Sequence, residues 1–361
     1  MNYIKQLDSV RAIAVLLVIA SHWLFDNPVI IAIQAGRLGV DTFFVLSGFL
    51  ISGILLRNRA EIESSAGNKA DAIKNFFIRR GLRIFPIYYL TIFILFALGD
   101  ETHTHIKENF IYFLTYTSNF YFYKNDAWDG ILSHLWSLAV EEQFYLIWSW
   151  FILFIPRERL LAGIIVFIGI GVVANYTLRN SFDLVLPFTC FDAFGLGALL
   201  AFAVFKQFDL AKIYRIVGLA ILACVGVMLD SVLRRQAMVI PARTVHSIIA
   251  LFVIIYIIYK REKGQEQFFI LNNKLLIFLG KISYGMYLYH VPLSQNNAYL
   301  HKYINSYFPG FIVRHETYVL FAENFLILVA LSWLSWVLIE RPILKLKDNF
   351  NYQPHPIAPI V

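Results

Sequence analysis

Apolar runs of spanning length, separated by short polar stretches, recur from one end of this chain to the other. Ten of them are predicted as helical spans: about 8–25, 38–56, 83–99, 135–155, 160–178, 187–205, 214–230, 245–259, 275–294 and 321–340. Each approaches the roughly 20 residues that a helix needs to cross a hydrocarbon core about 30 Å thick. Residues 108–123 are also apolar, but Asn, Thr and Tyr break the run, so a re-entrant or interfacial segment is expected there. The fold class expected is therefore an all-α integral membrane protein of about ten spans. Residues 1–347 form one domain and 348–361 a short tail.

The polar stretches differ in charge. The segment 57–83 carries Arg57, Arg59, Lys69, Lys74, Arg79, Arg80 and Arg83, while the loop 99–134 has only Lys107 and Lys124 against five acidic residues. Cytoplasmic loops collect Lys and Arg. The asymmetry places 57–83, the loops 206–215 and 260–274, the tail and both termini in the cytoplasm, and 99–134 outside. Arg234, Arg235 and Arg243 are the minority that land outside. Composition agrees with a polytopic protein: 59% of residues are hydrophobic, 15% are charged and mean hydropathy is +0.63. The net charge of +7 follows this topology and points to membrane lipids, not nucleic acid. Cys190 and Cys224 both lie in apolar runs, which argues against a disulfide framework and against a metal site. The first apolar run is long and lacks a small-residue cleavage site, so it is expected to stay as a span and not be removed as a signal peptide.

Ionisable residues inside spans cost about 2.5–3.5 kcal/mol each on insertion scales, so they mark candidate chemistry. Arg11 and His22 share the first span, roughly 16 Å apart at 1.5 Å per residue. Arg80 and Arg83 open the third span. Three guanidiniums near one mouth suit a phosphate-rich ligand, because the planar fork binds phosphate oxygens bidentately. The competing role is that of snorkelling anchors, which Arg79 fits best. His22, Asp41, Glu141 and Glu142 converge on the opposite half of the bilayer. A carboxylate on one ring nitrogen would fix the imidazole tautomer and leave the other nitrogen as a general base. Adjacent Glu141 and Glu142 point about 100° apart on a helix, so one of them is expected to face the site. Tyr284, Tyr287 and His290 follow i, i+3, i+6 spacing and could line a polar path or form an interfacial belt. The aromatic run 112–128, with Asn119, Asn125 and Asp126, suits sugar rings or interfacial anchoring.

With these residues placed, the chain resembles the acyltransferase 3 family of integral membrane acyltransferases over about residues 5–343. The resemblance rests on Arg11 and His22 with ten residues between them, GVDTFFVLSGFLI at 39–51, Arg80 with Arg83, SLAVEEQFYL at 137–146, ISYGMYLYHVPL at 282–293 and ERP at 340–342. Ser9 and Ser149 depart from the usual glycine and proline. The resemblance implies a bacterial inner-membrane O-acyltransferase that takes an acyl group, usually acetyl, from cytoplasmic CoA and passes it to a hydroxyl. The acceptor is often an extracytoplasmic glycan, such as a surface polysaccharide, a lipopolysaccharide O-antigen or its lipid-linked precursor. Arg11, Arg80 and Arg83 would hold acetyl-CoA. His22 would act as base, oriented by Asp41 or Glu141, and Glu142, Tyr284, Tyr287 and His290 would line the acceptor path. No metal is expected. The chain ends about twenty residues after its last span, as in the branch without an SGNH-type domain. A transporter and an acyltransferase acting on a small hydroxylated metabolite such as a macrolide are the alternatives; the absence of an inverted repeat weighs against the transporter.

Overall fold

A computed structural model describes residues 3–65, 68–178, 180, 182–234, 240–296 and 316–350. Arg235, residues 66–67 and most of the expected tail lie outside the described residues. Among those described, every regular element is helical. The long helices are α1 (Lys5–Trp23), α2 (Ala35–Ser65) and α3 (Lys69–Leu98), then, after the short α4 (Ile106–Leu114) and α5 (Ser118–Asn125), α6 (Leu135–Phe154), α7 (Leu160–Thr177), α8 (Phe191–Phe205), α9 (Leu210–Arg234) and α10 (Ala242–Glu262). They are followed by α11 (Lys274–Lys281), α12 (Ser283–Asn296) and α13 (Glu316–Ser335), which runs on through a π-helical turn at Trp336–Glu340 into α14 (Arg341–Lys345).

Seven described helices are long and apolar enough to cross a membrane: Ala35–Ser64, Lys69–Thr102, Arg157–Thr177, Pro187–Phe205, Leu210–Ser231, Ala242–Glu262 and Val319–Lys345. Three expected spans fall short of that measure, each for a visible reason. Asp8, Arg11 and His22 dilute α1, and Glu141, Glu142 and Gln143 dilute α6. The ninth is split at Ile282 into α11 and α12. The segments richest in candidate chemistry are thus the least lipid-like.

Helix α2 is the organising element. Against α8 the two backbones touch: a Cβ on Gly48 would lie 2.0 Å from the carbonyl oxygen of Phe194, and one on Gly197 would lie 2.1 Å from that of Val45. Small residues permit this approach where lipid offers no hydrophobic drive to association. Against α6 the contacts rise in step. Ser47 donates to Glu141, Trp148 Nε1 donates to Ser52 Oγ at 2.7 Å, and Arg59 Nη1 donates to the carbonyls of Ile152 and Ile155 at 2.7 and 2.6 Å. The two helices therefore run parallel, and Arg59 satisfies carbonyls that α6 leaves open at its C-terminus. Against α1 the order reverses: Gly39 meets Ala14 and Val18, and Gly36 meets Ser21. Arg11 and His22 consequently sit at opposite ends of the bundle, termed here the lower and upper ends.

The broken apolar run folds as α4 and α5, of 9 and 8 residues, too short to cross a bilayer at 1.5 Å per residue. Tyr88 donates to the carbonyl of Phe113 at 2.7 Å and Gln143 Nε2 to that of Tyr116 at 2.7 Å, which fastens this segment to α3 and α6.

Candidate active site

Three cavities lie end to end through the bundle. The lower chamber, about 720 Å³, is lined by Arg11, Arg57, Arg83, Lys281 and Arg341 against a single carboxylate, Asp8. A neck of about 90 Å³ follows, lined by Arg11 and Arg83 again and by Ser47, Arg80, Ser137, Glu141, Tyr284 and Tyr287. The upper chamber, about 520 Å³, shares Val40 and Tyr287 with the neck and adds His22, Arg37, Asp41, Trp128, His134, Trp136 and Arg243. The shared residues make the three neighbours in a row, from a cationic mouth to a histidine-lined end.

Arg11 is not free at that mouth. Its Nη1 lies 2.5 Å from Asp8 Oδ1, and Tyr3 donates to the other oxygen of the same carboxylate. Arg80, expected at the same mouth, reaches into the neck. It pairs with Glu141 at 3.2 Å and contacts the hydroxyl of Tyr145, whose ring it also covers at 4.0 Å. Glu141 additionally receives Ser47 and Tyr145. Arg83 bridges the lower chamber and the neck. Arg79 holds backbone carbonyls of Lys347 and Phe350 at 3.5 and 3.4 Å.

At the upper end, His22 Nδ1 lies 2.9 Å from the carbonyl of Val18 and 3.2 Å from His290 Nε2. The expected carboxylate at this ring is elsewhere. Asp41 is claimed by Arg243 Nε and His246 Nδ1, each at 3.0 Å, and Glu141 by Arg80. The reasons differ: Asp41 lies at the right end but turns toward α10, whereas Glu141, held by Ser47, lies in the neck with Arg11 and Arg80, well below His22. Of the glutamate pair, Glu141 lines the neck. Glu142 turns toward Tyr88, Tyr116 and Tyr284, with Oε1 buried and without a partner.

Tyr284 and Tyr287 line the neck, whereas His290, expected beside them, lines none of the three cavities and lies buried behind His22. Tyr284 donates to the carbonyl of Ile84 at 3.1 Å. The Tyr287 hydroxyl is 2.5 Å from Ser137 Oγ and donates to the carbonyl of His134 at 3.1 Å. His290 is fully buried, its ring 4.9 Å from that of His22 and 5.2 Å from that of His134.

Several lining residues escaped the sequence reading. His134 sits at the end of a polar loop, where a histidine draws no notice. Lys281 and Arg341 look like ordinary helix-end cations. Arg243 did leave a signal, as a charge on the wrong side of the topology. It is the hub of a buried cluster with Asp41, Thr189 and Cys190, whose sulfur lies 3.1 Å from Nη1. Ser9, at a position where glycine is usual, donates to the carbonyl of Leu271 at 2.8 Å.

This is a multi-pass helical membrane protein with a row of polar-lined cavities in its interior. Residues 4–340 match the sequence profile of the acyltransferase domain family, acyltransferase 3, and the chain belongs to that family. It is similar to O-acetyltransferase OatA of Staphylococcus aureus (strain NCTC 8325 / PS 47), at 28% identity over 95% of this chain and 58% of that protein. It is also similar to peptidoglycan O-acetyltransferase OatA of Listeria monocytogenes, at 36% identity over 47% of this chain and 28% of that protein. The chain thus spans somewhat over half the length of the Staphylococcus relative. No solved structure matches it.

Proposed function

We propose that the chain transfers an acetyl group from acetyl-CoA, bound from the cytoplasmic side, to a sugar hydroxyl presented at the upper chamber. The acceptor class in this reading is a bacterial surface polysaccharide or its lipid-linked precursor, and the membrane is the inner membrane. One observation carries it: a chamber with five cations against one carboxylate adjoins a narrow polar neck, which in turn adjoins a chamber holding His22. A phosphate-rich head, a thin flexible arm and a small reactive thioester fit that succession. Arg11, Arg57, Arg83, Lys281 and Arg341 hold the phosphates, and the arm threads between Tyr284 and Glu141.

His22 then removes the proton of the acceptor hydroxyl as the oxygen attacks the thioester carbonyl. The carbon–sulfur bond breaks, and the proton passes on to the leaving thiolate. Trp128 and Trp136 supply flat apolar faces of the kind that sugar rings stack on. The name of the Listeria relative, a peptidoglycan O-acetyltransferase, supports an envelope glycan as the acceptor.

The test is transfer of labelled acetyl from acetyl-CoA into base-labile ester in membranes containing the protein. Binding is measured separately by calorimetry on purified material. General-base catalysis typically contributes about 10²–10⁴-fold, so His22→Ala is expected to lower turnover by that factor with acetyl-CoA affinity unchanged. An active His22→Ala protein, or one that acetyl-CoA does not bind in wild-type form, ends the reading.

A further inference from the structure

His290 is bonded to the proposed base. The carbonyl oxygens around the two rings dictate where the protons lie, because a carbonyl only accepts. His22 Nδ1 faces the carbonyl of Val18 at 2.9 Å, so it carries hydrogen. His290 Nδ1 faces the carbonyl of Tyr287 at 2.6 Å, so it carries hydrogen too. A neutral imidazole has one donor and one acceptor nitrogen. His290 Nε2 is therefore a bare lone pair, 3.2 Å from His22 Nδ1. The N–H of His22 is shared between Val18 and His290, and its Nε2 is left bare on the lining of the upper chamber.

We propose that His290 is a positioning residue that fixes the Nδ1–H tautomer of His22, doing with a neutral imidazole what a carboxylate does in the familiar base–orienter pair. This rests on the reading of His22 as the base. Val18 favours that tautomer but holds it weakly, because its carbonyl also accepts from the Ser21 hydroxyl at 2.7 Å and belongs to the hydrogen-bond ladder of α1. His290 supplies a second acceptor in a fixed place. It is fully buried, its own Nδ1 is tied down, and His134 packs edge-on against it with ring planes at 73°. When His22 Nε2 takes the hydroxyl proton, the resulting imidazolium presents its Nδ1–H to that lone pair. The charge is shared between two rings without placing an anion beside the reacting thioester. A carboxylate there would oppose the developing oxyanion; a neutral ring does not.

The experiment uses full-length protein labelled with ¹⁵N-histidine in lipid bilayers, with the His22 signals identified by their loss in His22→Gln. At a pH where imidazole is neutral, the wild-type His22 spectrum is expected to show protonated Nδ1 and bare Nε2. In His290→Leu it is expected to become a mixture of tautomers. Turnover in the acetyl-transfer assay is expected to fall, by up to the roughly 10²–10⁴-fold that general-base catalysis contributes, with acetyl-CoA affinity unchanged. His290→Gln, whose Oε1 can accept from Nδ1–H, is expected to restore the single tautomer and most of the turnover.

A wild-type spectrum with protonated Nε2 overturns the proposal. So does a His290→Leu protein with unaltered tautomer, or equal losses in the Leu and Gln variants, which would make His290 a packing residue. If the tautomer responds as expected but neither histidine affects transfer, the positioning stands and the reading of His22 as base falls.

Discussion

Asp8 is the single carboxylate on the wall of a chamber proposed to hold phosphates, and replacing it by Asn is expected to tighten acetyl-CoA binding. Its side chain is 6% exposed and Arg11, its partner at 2.5 Å, is 17% exposed, so the pair is only partly screened. At a separation of about 8 Å from a bound phosphate, Coulomb repulsion amounts to about 2 kcal/mol at an effective dielectric of 20 and about 0.5 kcal/mol in water. Removing it corresponds to roughly 2- to 30-fold in affinity. Arg11→Ala acts in the opposite sense twice over. It deletes a charge-assisted hydrogen bond of about 1.5–3 kcal/mol and leaves Asp8 unpaired on the chamber wall. The expected loss is about 2–5 kcal/mol, or roughly 30- to 4000-fold. In the double variant the second contribution vanishes, so it is expected to bind more tightly than Arg11→Ala alone. Calorimetric titration of acetyl-CoA into the four purified proteins at fixed ionic strength closes the cycle. If Asp8→Asn weakens binding, or the double variant is no better than Arg11→Ala, the carboxylate is holding Arg11 in its working position and the electrostatic argument is wrong.

Lys347, beyond the last span, is pushed from 10.5 down to about 7 by burial and then by Arg83, Arg80 and Arg79. The unfolded chain binds the extra proton between those values, so the lysine's destabilising effect is full below about 7 and fades as pH rises toward 10.5. The Tm advantage of Lys347→Met is therefore expected to shrink over that window. Gly48→Ala places a methyl against the carbonyl of Phe194 and is expected to cost about 1–3 kcal/mol, read as a lowered Tm. Gly226→Ala, with nothing within 4 Å of the added carbon, is expected to leave Tm unchanged or raise it. Cysteines introduced at Asn125 and Ser64 are expected to be labelled by an impermeant reagent in intact cells at 125 and not at 64; the reverse pattern would invert the topology.

Arg11, His22 and Arg83 were legible in the sequence because a charge or imidazole inside an apolar run is costly and stands out against its neighbours. Depth was legible for Asp41, since helical rise converts residue number to position along one axis, but not for Glu141, which Ser47 holds near the level of Arg11 because α6 is displaced along its neighbours. Rotation was not legible for either. Which way Asp41 and Glu141 face depends on how α2 and α6 pack, and the parallel register set by Ser47, Ser52 and Arg59 turns Glu141 to Arg80 and Asp41 to Arg243. Lys281, Arg341 and His134 were hidden by the opposite effect: they occupy helix ends and loops, where polar residues are ordinary. The split of the ninth span at Ile282 gave no local signal beyond a modest run of polar residues.

The narrowness of the neck has an electrical consequence. If the lower chamber faces one aqueous phase and the upper chamber the other, as the proposed reaction requires, only the constriction separates two solutions held at different potentials. Moving one elementary charge across 100 mV releases about 2.3 kcal/mol, so an open water thread would drain the gradient. At about 90 Å³ the constriction admits little water, and beside the neutralised Arg80–Glu141 pair the Arg83 guanidinium on its wall presents a fixed positive charge to any hydronium or metal cation that enters. Electrostatic barriers of this kind are how water-selective pores exclude protons. The same side chains that frame the passage proposed for an acyl carrier would thus let the bilayer remain an insulator between turnovers.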